Sequence, residues 1–386
     1  MDFDLSEEQR LLKESVDRLI ADRYAFEDRK KYLQEEGAWS RAMWHQYAEM
    51  GLLGLPFAEA DGGMGGGSVE TMIVMEAFGR GLVLEPYLAT VVLGGGFLRL
   101  GASDAQRERF VGRIAEGTLL MAFAQIEPQS RYDLADVSTT AKRDGKDWLI
   151  DGKKVVVLHG DCADWLVVTA RVSGQRRDRD GIGVFLVDAK AMGVTRRGYA
   201  TQDGLRAAEI GFAGVRVPAG DVLGEPGRGL ALVERAADQA IAALCAEAVG
   251  AMQVAHETTV EYLKVRKQFG VPIGSFQALQ HRAADMLIAL EQSRSMALYA
   301  TMMADEPDAA ERRKAMSASK IQIGKSGRFV GQQSIQLHGG IGMTNEYRVG
   351  HYFKRLTMIE LMFGDSDFHL ASLAEAGGLI SADAEN

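Results

Sequence analysis

Ser138-Thr139-Thr140-Ala141-Lys142-Arg143-Asp144-Gly145-Lys146-Asp147-Trp148-Leu149-Ile150-Asp151-Gly152-Lys153-Lys154-Val155-Val156-Val157-Leu158 is the stretch on which the fold turns. It reads as three short strands, Ser138–Arg143, Trp148–Ile150 and Lys154–Leu158. They are rich in β-branched and aromatic side chains, and Asp144-Gly145 and Asp151-Gly152 supply hairpin signals between them. Leu119–Ile126, Trp165–Ala170 and Gly183–Asp188 have the same character, in a section running from Gly117 to Pro226. No helical periodicity interrupts the run. A parallel sheet built from βαβ units, and with it a Rossmann fold, is therefore disfavoured, and an antiparallel barrel or sandwich is expected.

On both sides of this section the period changes to that of helices. Ser6 followed by Gln9 is a capping-box pattern. It opens Glu7–Ala21, where Leu11, Leu12, Val16, Leu19 and Ile20 recur at helical spacing. Trp39–Met50, Ser68–Phe78 and Asp104–Ile114 follow. Gly62-Gly63-Met64-Gly65-Gly66-Gly67 is not a phosphate loop, because no strand precedes it and no Lys-Ser/Thr follows; it reads as a turn with Ser68 as N-cap. Beyond Gly229 the pattern predicts long helices at Leu230–Val265, Phe276–Ala304, Ala309–His338, Tyr347–Thr357 and Asp365–Ala376, hence a bundle. The expected architecture is α+β and mostly α. A helical domain (1–118) comes first, then an antiparallel β domain (119–227), then a C-terminal bundle of the four-helix kind (228–386). Ser381–Asn386 reads as a frayed tail.

Composition bounds the function. The 386 residues are 47% hydrophobic and 25% charged, ordinary for a globular protein. A net charge of −9 argues against a nucleic-acid or anionic-membrane binder. Cys162 and Cys245 stand in no metal-ligand spacing and read as reduced, buried thiols. No apolar run is long enough to span a membrane, and Met1-Asp2-Phe3-Asp4 lacks the apolar core of a signal peptide. A cytoplasmic protein without a metal is expected.

Two motifs carry the chemistry. One is Arg266-Lys267-Gln268-Phe269-Gly270-Val271-Pro272-Ile273 with Phe276-Gln277-Ala278. The other is Gln336-Leu337-His338-Gly339-Gly340-Ile341-Gly342-Met343-Thr344 with Glu346-Tyr347. With Leu55-Pro56, Glu127-Pro128 and Ile150-Asp151-Gly152-Lys153-Lys154 in the same order, they resemble the acyl-CoA dehydrogenase family over essentially the whole chain. The resemblance implies FAD. A pyrophosphate wants fixed positive charge and donors, which Arg266 and Gln268 offer. Phe269 can cover an apolar edge of the cofactor, and Gly339 and Gly340 let backbone approach it. In the family, such segments reach across a dimer interface into the neighbouring subunit's flavin site. The carriers implied here are Arg266, Gln268, Phe269, Gln277, Gln336, Gly339 and Gly340.

The sequence departs from the family where the reaction needs a base. Removing an α-proton from an acyl thioester, while a hydride leaves the β-carbon, requires a carboxylate in a dry site. One family position for that Glu falls at Phe363, in Met362-Phe363-Gly364-Asp365. The other falls at Ala240, with Ile241 next to it in place of an Arg found in many members. The middle-domain flavin contacts are altered too. A Thr that bonds the flavin falls at Ile126, flanking Trp and Thr positions fall at Val156 and Leu158, and a polar residue after the Glu-Pro turn falls near Tyr132, with Ser130 close by. Asp365 is the fallback base, though it also reads as an N-cap. Asp238, Glu247 and Glu360 are the other carboxylates in range, and His338 and His369 read as structural.

The resemblance thus points to the base-less small subunit of an α2β2 heterotetramer, like those of pimeloyl-CoA and steroid side-chain acyl-CoA dehydrogenases. The run Phe363 to Leu370 resembles those subunits as well. The implied reaction is α,β-dehydrogenation of an acyl-CoA in fatty-acid or steroid side-chain β-oxidation, with electrons passing to an electron-transfer flavoprotein. Three alternatives stay open at this point. They are a self-sufficient homotetramer or homodimer with a non-standard base, a flavin oxidase or monooxygenase on the same fold, and a structural subunit that binds neither flavin nor substrate.

Overall fold

The structure is a computed structural model and describes residues 5–377. The expected tail Ser381–Asn386 and the first four residues lie outside that range. By its internal contacts the chain divides into two units. One comprises residues up to 31, 68–83 and from 241 on; the other comprises 32–67 and 84–240.

The helices before the sheet are α1 (Glu7–Arg23), α2 (Phe26–Tyr32), α3 (Arg41–Glu49), α4 (Ser68–Gly81), α5 (Gly95–Gly101) and α6 (Asp104–Ala115). Ser6 and Gln9 form the capping box in both directions, and Ser103 with Gln106 repeats it at α6. Ser68 does not cap α4 but is its first residue, and its hydroxyl donates to Asp305 (2.7 Å). The short α2, the π-helical segment Leu88–Gly94 and α5, into which it runs, had no sequence expectation.

The middle section holds β1 (Met121–Ala124), β2 (Thr140–Asp144), β3 (Asp147–Leu158), β4 (Trp165–Arg171), β5 (Ile182–Asp188), β6 (Val194–Ala200), β7 (Arg206–Val217) and β8 (Val222–Leu223). They form one sheet in the order β6-β7-β3-β2-β4-β5-β8, with β1 attached to β4. Pairing is antiparallel except for β1 with β4 and a single β2–β4 contact. One face of the sheet packs Trp148, Ile150, Leu166, Phe185, Ile210 and Phe212 into an apolar core.

Asp144-Gly145 is a hairpin turn, with Gly145 at φ 64°. Asp151-Gly152 is not. Trp148–Ile150 and Lys154–Leu158 are halves of one strand, and the Asp-Gly pair lies at a register shift against β7. Asp151 Oδ1 accepts from the Gly214 amide (2.7 Å), and a Cβ on Gly152 would meet Thr139 Oγ1 at 2.5 Å. The glycine is there for close backbone approach at a bulge rather than for a turn. β6 and β7, the latter twelve residues long, had no named expectation.

The rest is helical: α7 (Leu230–Val265), α8 (Gln277–Met303), α9 (Ala309–His338), α10 (Val349–Leu361) and α11 (Ser366–Glu375). A two-stranded hairpin, β9 (Lys267–Gln268) and β10 (Val271–Pro272), links α7 to α8. Within the first unit α4 and α7 touch backbone to backbone. A Cβ on Gly79 would lie 1.9 Å from Glu247 O, and one on Gly250 would lie 1.9 Å from Glu76 O. Each glycine is thus required by the other helix. Close by, Glu247 of α7 is held by Arg355 of α10 in a buried fork, with Nε–Oε1 2.6 Å and Nη2–Oε2 2.8 Å. No described helix is long and apolar enough to cross a membrane.

Candidate functional site

The two C-terminal motifs meet at one corner of the helical unit. Tyr262, one turn before Arg266 on α7, stacks on His338 at the end of α9, with centroids 4.4 Å apart. Tyr347 leans on both rings, 5.0 Å from His338 and 6.5 Å from Tyr262. His338 Nδ1 sits 2.7 Å from Ser334 O, and burial holds its imidazole below the usual range. His338 is therefore structural, as expected, and it joins the Arg266 hairpin to the Gly339-Gly340 turn. Tyr262 was not singled out from the sequence, although it lies one turn before the end of α7, where the Arg266 motif begins.

At this corner the candidate residues face outward. Arg266, Gln268, Phe269, Gln277, Gln336, Gly339 and Gly340 are all exposed. Arg266 and Gln336 make no side-chain hydrogen bond or ion pair among the described residues, and Gln268 Nε2 reaches only the adjacent Lys267 carbonyl (2.7 Å). Phe269 is 91% exposed and adopts φ 54°, so an unburied aromatic ring is carried on a left-handed backbone. Such a conformation costs an L-residue on the order of 1–2 kcal/mol. Gly339 adopts φ 64°, ψ −141°, which a side chain resists. Gly340 is under no such constraint. A Cβ on either glycine would meet nothing within 4 Å, so the chain itself leaves this backbone open. A free guanidinium, free amides and uncovered peptide groups fit the phosphate-bearing part of FAD.

The middle-sheet positions fit less well. Ile126 and Leu158 are half-buried aliphatics, and the Ile126 carbonyl already accepts from the Val155 amide (2.8 Å). Val156 is 38% exposed at φ 52°, a strained place for a β-branched residue, at a second bulge of β3. Ser130 Oγ is spent within the Glu127-Pro128 turn, accepting from Glu127 N (3.0 Å) and donating to Glu127 O (3.1 Å). Tyr132 lies half-buried in the same loop. Below that turn lies an ion pair that the sequence did not disclose. Lys154 is fully buried, and its Nζ reaches Glu127 Oε1 (2.8 Å), Thr169 Oγ1 (2.9 Å) and Gln125 O (3.1 Å). Burial pushes the Glu127 carboxyl up, but Lys154 and the donors Gln129 and Thr139 outweigh it and bring it down to about 2.

The base positions are filled by carbon. Ala240 is buried on α7. Phe363 lies half-buried in the α10–α11 turn at φ 57°, followed by Gly364 at φ 114°. Its carbonyl is 3.0 Å from His369 Nε2, and His369 Nδ1 is 3.2 Å from Ser317 Oγ. Burial and the nearby Lys320 push that imidazole down to about 3, so it holds the turn as a neutral group. Asp365 caps α11, accepting from Phe368 N at 2.8 Å. Glu247 belongs to Arg355. Glu360 takes Arg328 (Nη2–Oε1 2.5 Å) and Ser366 (3.2 Å). Asp238 is buried. Beneath the turn, the buried Lys320 donates to the last carbonyls of α10, Ile359 O at 2.6 Å and Glu360 O at 3.1 Å. Burial draws its ammonium down to about 8.

The cysteines are both free. Cys245 is buried, whereas Cys162 is only half-buried, its Sγ 3.3 Å from His159 O. Burial raises both thiols to about 12, so neither is a ready thiolate.

Comparison with known proteins gives the family. Models of the acyl-CoA dehydrogenase N-terminal, middle and C-terminal domains match residues 6–118, 122–215 and 227–378. The probable acyl-CoA dehydrogenase YngJ of Bacillus subtilis (strain 168) is 30% identical over 380 residues, covering 97% of this chain and 99% of that protein. Among solved structures, a variant of the Tcur3481-Tcur3483 steroid ACAD superposes with a TM-score of 0.87 at 28% identity, covering 96% of this chain and 97% of that one. The FAD complex of PigA superposes with a TM-score of 0.89 at 26% identity, covering 97% and 98%. The chain belongs to the acyl-CoA dehydrogenase family.

Proposed function

We propose that this chain is the base-less subunit of a heteromeric, FAD-dependent acyl-CoA dehydrogenase, and that its Arg266 and Gly339-Gly340 corner completes a flavin site on a homologous partner. One observation carries the reading. The side chains of Arg266, Gln277 and Gln336 make no hydrogen bond among the described residues and Gln268 reaches only its neighbour's carbonyl, while Glu247, Glu360 and Asp365 near the family's base positions are already committed. Glu247 is held by Arg355, Glu360 by Arg328 and Ser366, and Asp365 by the α11 cap. Protein donors left exposed and unpaired on a strained, aromatic-tipped hairpin are placed for a group that comes from outside.

Bound FAD supplies the two-electron acceptor for α,β-dehydrogenation. Arg266 provides a planar fork for the pyrophosphate, Gln268, Gln277 and Gln336 provide donors, and Phe269 shields an apolar edge from water. Gly339 and Gly340 offer peptide groups without a Cβ in the way. Proton abstraction falls to a carboxylate of the partner. An electron-transfer flavoprotein takes the electrons onward. The steroid ACAD named by two chains, to which this chain is similar, supports a paired assembly. The FAD complex of PigA supports the cofactor.

The test is flavin retention. The chain is co-purified with a homologous partner that bears the catalytic Glu, and FAD per complex is measured for wild type and for Arg266→Ala. The reading expects a yellow wild-type complex and a variant that assembles but loses most of its flavin. A variant complex that keeps full flavin contradicts it.

A further inference from the structure

A cavity of about 360 Å³ lies within the helical unit, between the C-terminal parts of α1 and α4, the second half of α7 and the start of α10. Its lining includes none of the residues assigned to the flavin corner and none of the Phe363 turn. The volume is that of a small-molecule site.

The walls follow from local structure. Asp17, Ile20, Ala21 and Tyr24 recur at three and four residues, so one face of α1 supplies a wall, and Phe26 opens α2 beside it. Leu82 follows α4 on a left-handed backbone at φ 53°. Its carbonyl accepts from Nε of the buried Arg29 (2.8 Å), which fixes the turn in that strained form. Val254 of α7 and Tyr352 of α10 complete the apolar surface. The Tyr352 hydroxyl donates to the Arg80 carbonyl, so its proton is spent on the wall itself.

Three of the lining side chains are charged, Asp17, Arg80 and Arg348. Arg80 reaches Asp17 Oδ1 with Nη1 (3.4 Å) and Glu76 Oε1 with Nη2 (3.1 Å). Each of those carboxylates is shared with a second cation, Asp17 with Lys13 (2.6 Å) and Glu76 with Arg294 (3.0 Å). Arg80 Nε is buried and has no acceptor among the described residues. Arg348 is exposed, and its side chain makes no hydrogen bond or ion pair among the described residues. It is the N-cap residue of α10, so the positive end of a thirteen-residue helix lies at the same place. Outside the lining, Glu257 accepts from Gln253 Nε2 (2.9 Å), and Lys30 stands over the Phe26 ring at 4.7 Å. The cavity is thus apolar over most of its wall and carries unmatched positive charge at one side.

That combination selects an amphipathic anion. Asp17 on the same wall disfavours a dianion such as a phosphate monoester. A carboxylate carries one charge and matches the planar fork of an arginine with two oxygens. We propose that this cavity is a binding site for a small organic monocarboxylate, held by Arg348 at its charged end and by Ile20, Leu82 and Val254 along its hydrocarbon. The site is separate from the flavin-completing role and stands without it.

The test is a saturation-transfer NMR titration of the chain, in the assembly in which it purifies, with hexanoate and with 1-hexanol, and with inorganic phosphate as a competitor. It compares wild type with Arg348→Gln and with Ala21→Trp, which fills the cavity from an exposed position. Wild type is expected to bind hexanoate at least about tenfold tighter than hexanol, the worth of one charged hydrogen bond. Arg348→Gln is expected to bring hexanoate down to the affinity of hexanol and leave hexanol unchanged, which also shows that the fold is intact. Ala21→Trp is expected to weaken both at least about tenfold. Equal binding of hexanoate and hexanol by wild type overturns the proposal, since it marks an apolar crevice only. Hexanoate binding that neither variant moves overturns it by placing the ligand elsewhere. Phosphate that displaces hexanoate at concentrations below the hexanoate dissociation constant marks a phosphate site and overturns it too, as does a wild type that binds no hexanoate.

Discussion

Two places in the helical unit use their polar groups in opposite ways. At the Arg266 hairpin and the Gly339-Gly340 turn, the donors are exposed, Arg266 and Gln336 make no side-chain bond among the described residues, and an exposed aromatic ring sits on a strained backbone. At the Phe363 turn the polar groups are enclosed and satisfied. Lys320 holds carbonyls of α10, His369 holds the Phe363 carbonyl, Asp365 caps α11, and Glu247 and Glu360 are held by arginines. An arrangement kept at a cost to the chain's own stability points outward to a partner, while an arrangement that closes on itself has been given over to structure. The same contrast separates the motifs that carry the likeness to the family, at the first place, from one of its departures, at the second.

The largest effect expected is at the enclosed place. Arg355→Ala removes the fork from Glu247 and leaves a buried carboxylate uncompensated, which costs about 3–5 kcal/mol of stability. Urea unfolding of the purified chain measures it, and a loss under about 1 kcal/mol would mean that Glu247 is free to act elsewhere.

Next comes a pH effect. The Lys320 ammonium titrates near 8 when folded, against an ordinary value of 10.5. Between those values the unfolded chain binds more protons, so this group makes stability rise with pH from about 8 toward 10.5. Lys320→Met has no such contribution. The stability of wild type relative to that variant should therefore increase between pH 7.5 and pH 9.5. A constant difference would show that Lys320 is not desolvated as described.

At the outward place the expected stability effects are small. Arg266→Ala should leave unfolding within about 0.5 kcal/mol of wild type, because the side chain contacts nothing it supports. Phe269→Gly should be neutral or stabilising by up to about 1 kcal/mol, since glycine adopts φ 54° freely and the exposed ring makes one ring contact, edge-on with Phe276 at 6.1 Å. Both should weaken assembly or flavin retention with the partner. Phe269→Gly that destabilises the isolated chain by more than about 1 kcal/mol would show that the ring serves the chain itself.

Much of this was legible in the sequence, for reasons that differ from place to place. α7 and α9 follow from uninterrupted helical periodicity with clear stops, and their observed bounds are the expected ones. The Asp144-Gly145 hairpin follows from turn chemistry. Asp151-Gly152 carries the same two letters but sits in a bulge, because what decides it is Thr139, just before the neighbouring strand β2, pressing on Gly152. Pattern reasoning sees only the local chain. β6 was missed because it is an exposed strand of charged and small residues without alternation. The residues proposed to hold the flavin were singled out through the two motifs. Their lack of partners, the Tyr262–His338 stack that joins them, and the Lys154–Glu127 pair were not visible, because each depends on contacts between residues far apart in sequence. Asp365 shows how a local signal can be read two ways. As a carboxylate beside the base position it invites a catalytic role, and as the residue before a helix it invites a cap, which is the bond it makes.

The central claim is that the chain completes a flavin site but carries no base. It is tested most directly by the visible spectrum of the purified chain, alone and co-purified with a Glu-bearing homologue, before and after anaerobic addition of a broad acyl-CoA mixture. The account predicts that the lone chain is colourless, or yellow and unbleached, and that the two together form a yellow complex that acyl-CoA bleaches. Bleaching of the lone chain by acyl-CoA would contradict it, and Asp365→Ala would then be the first variant to make.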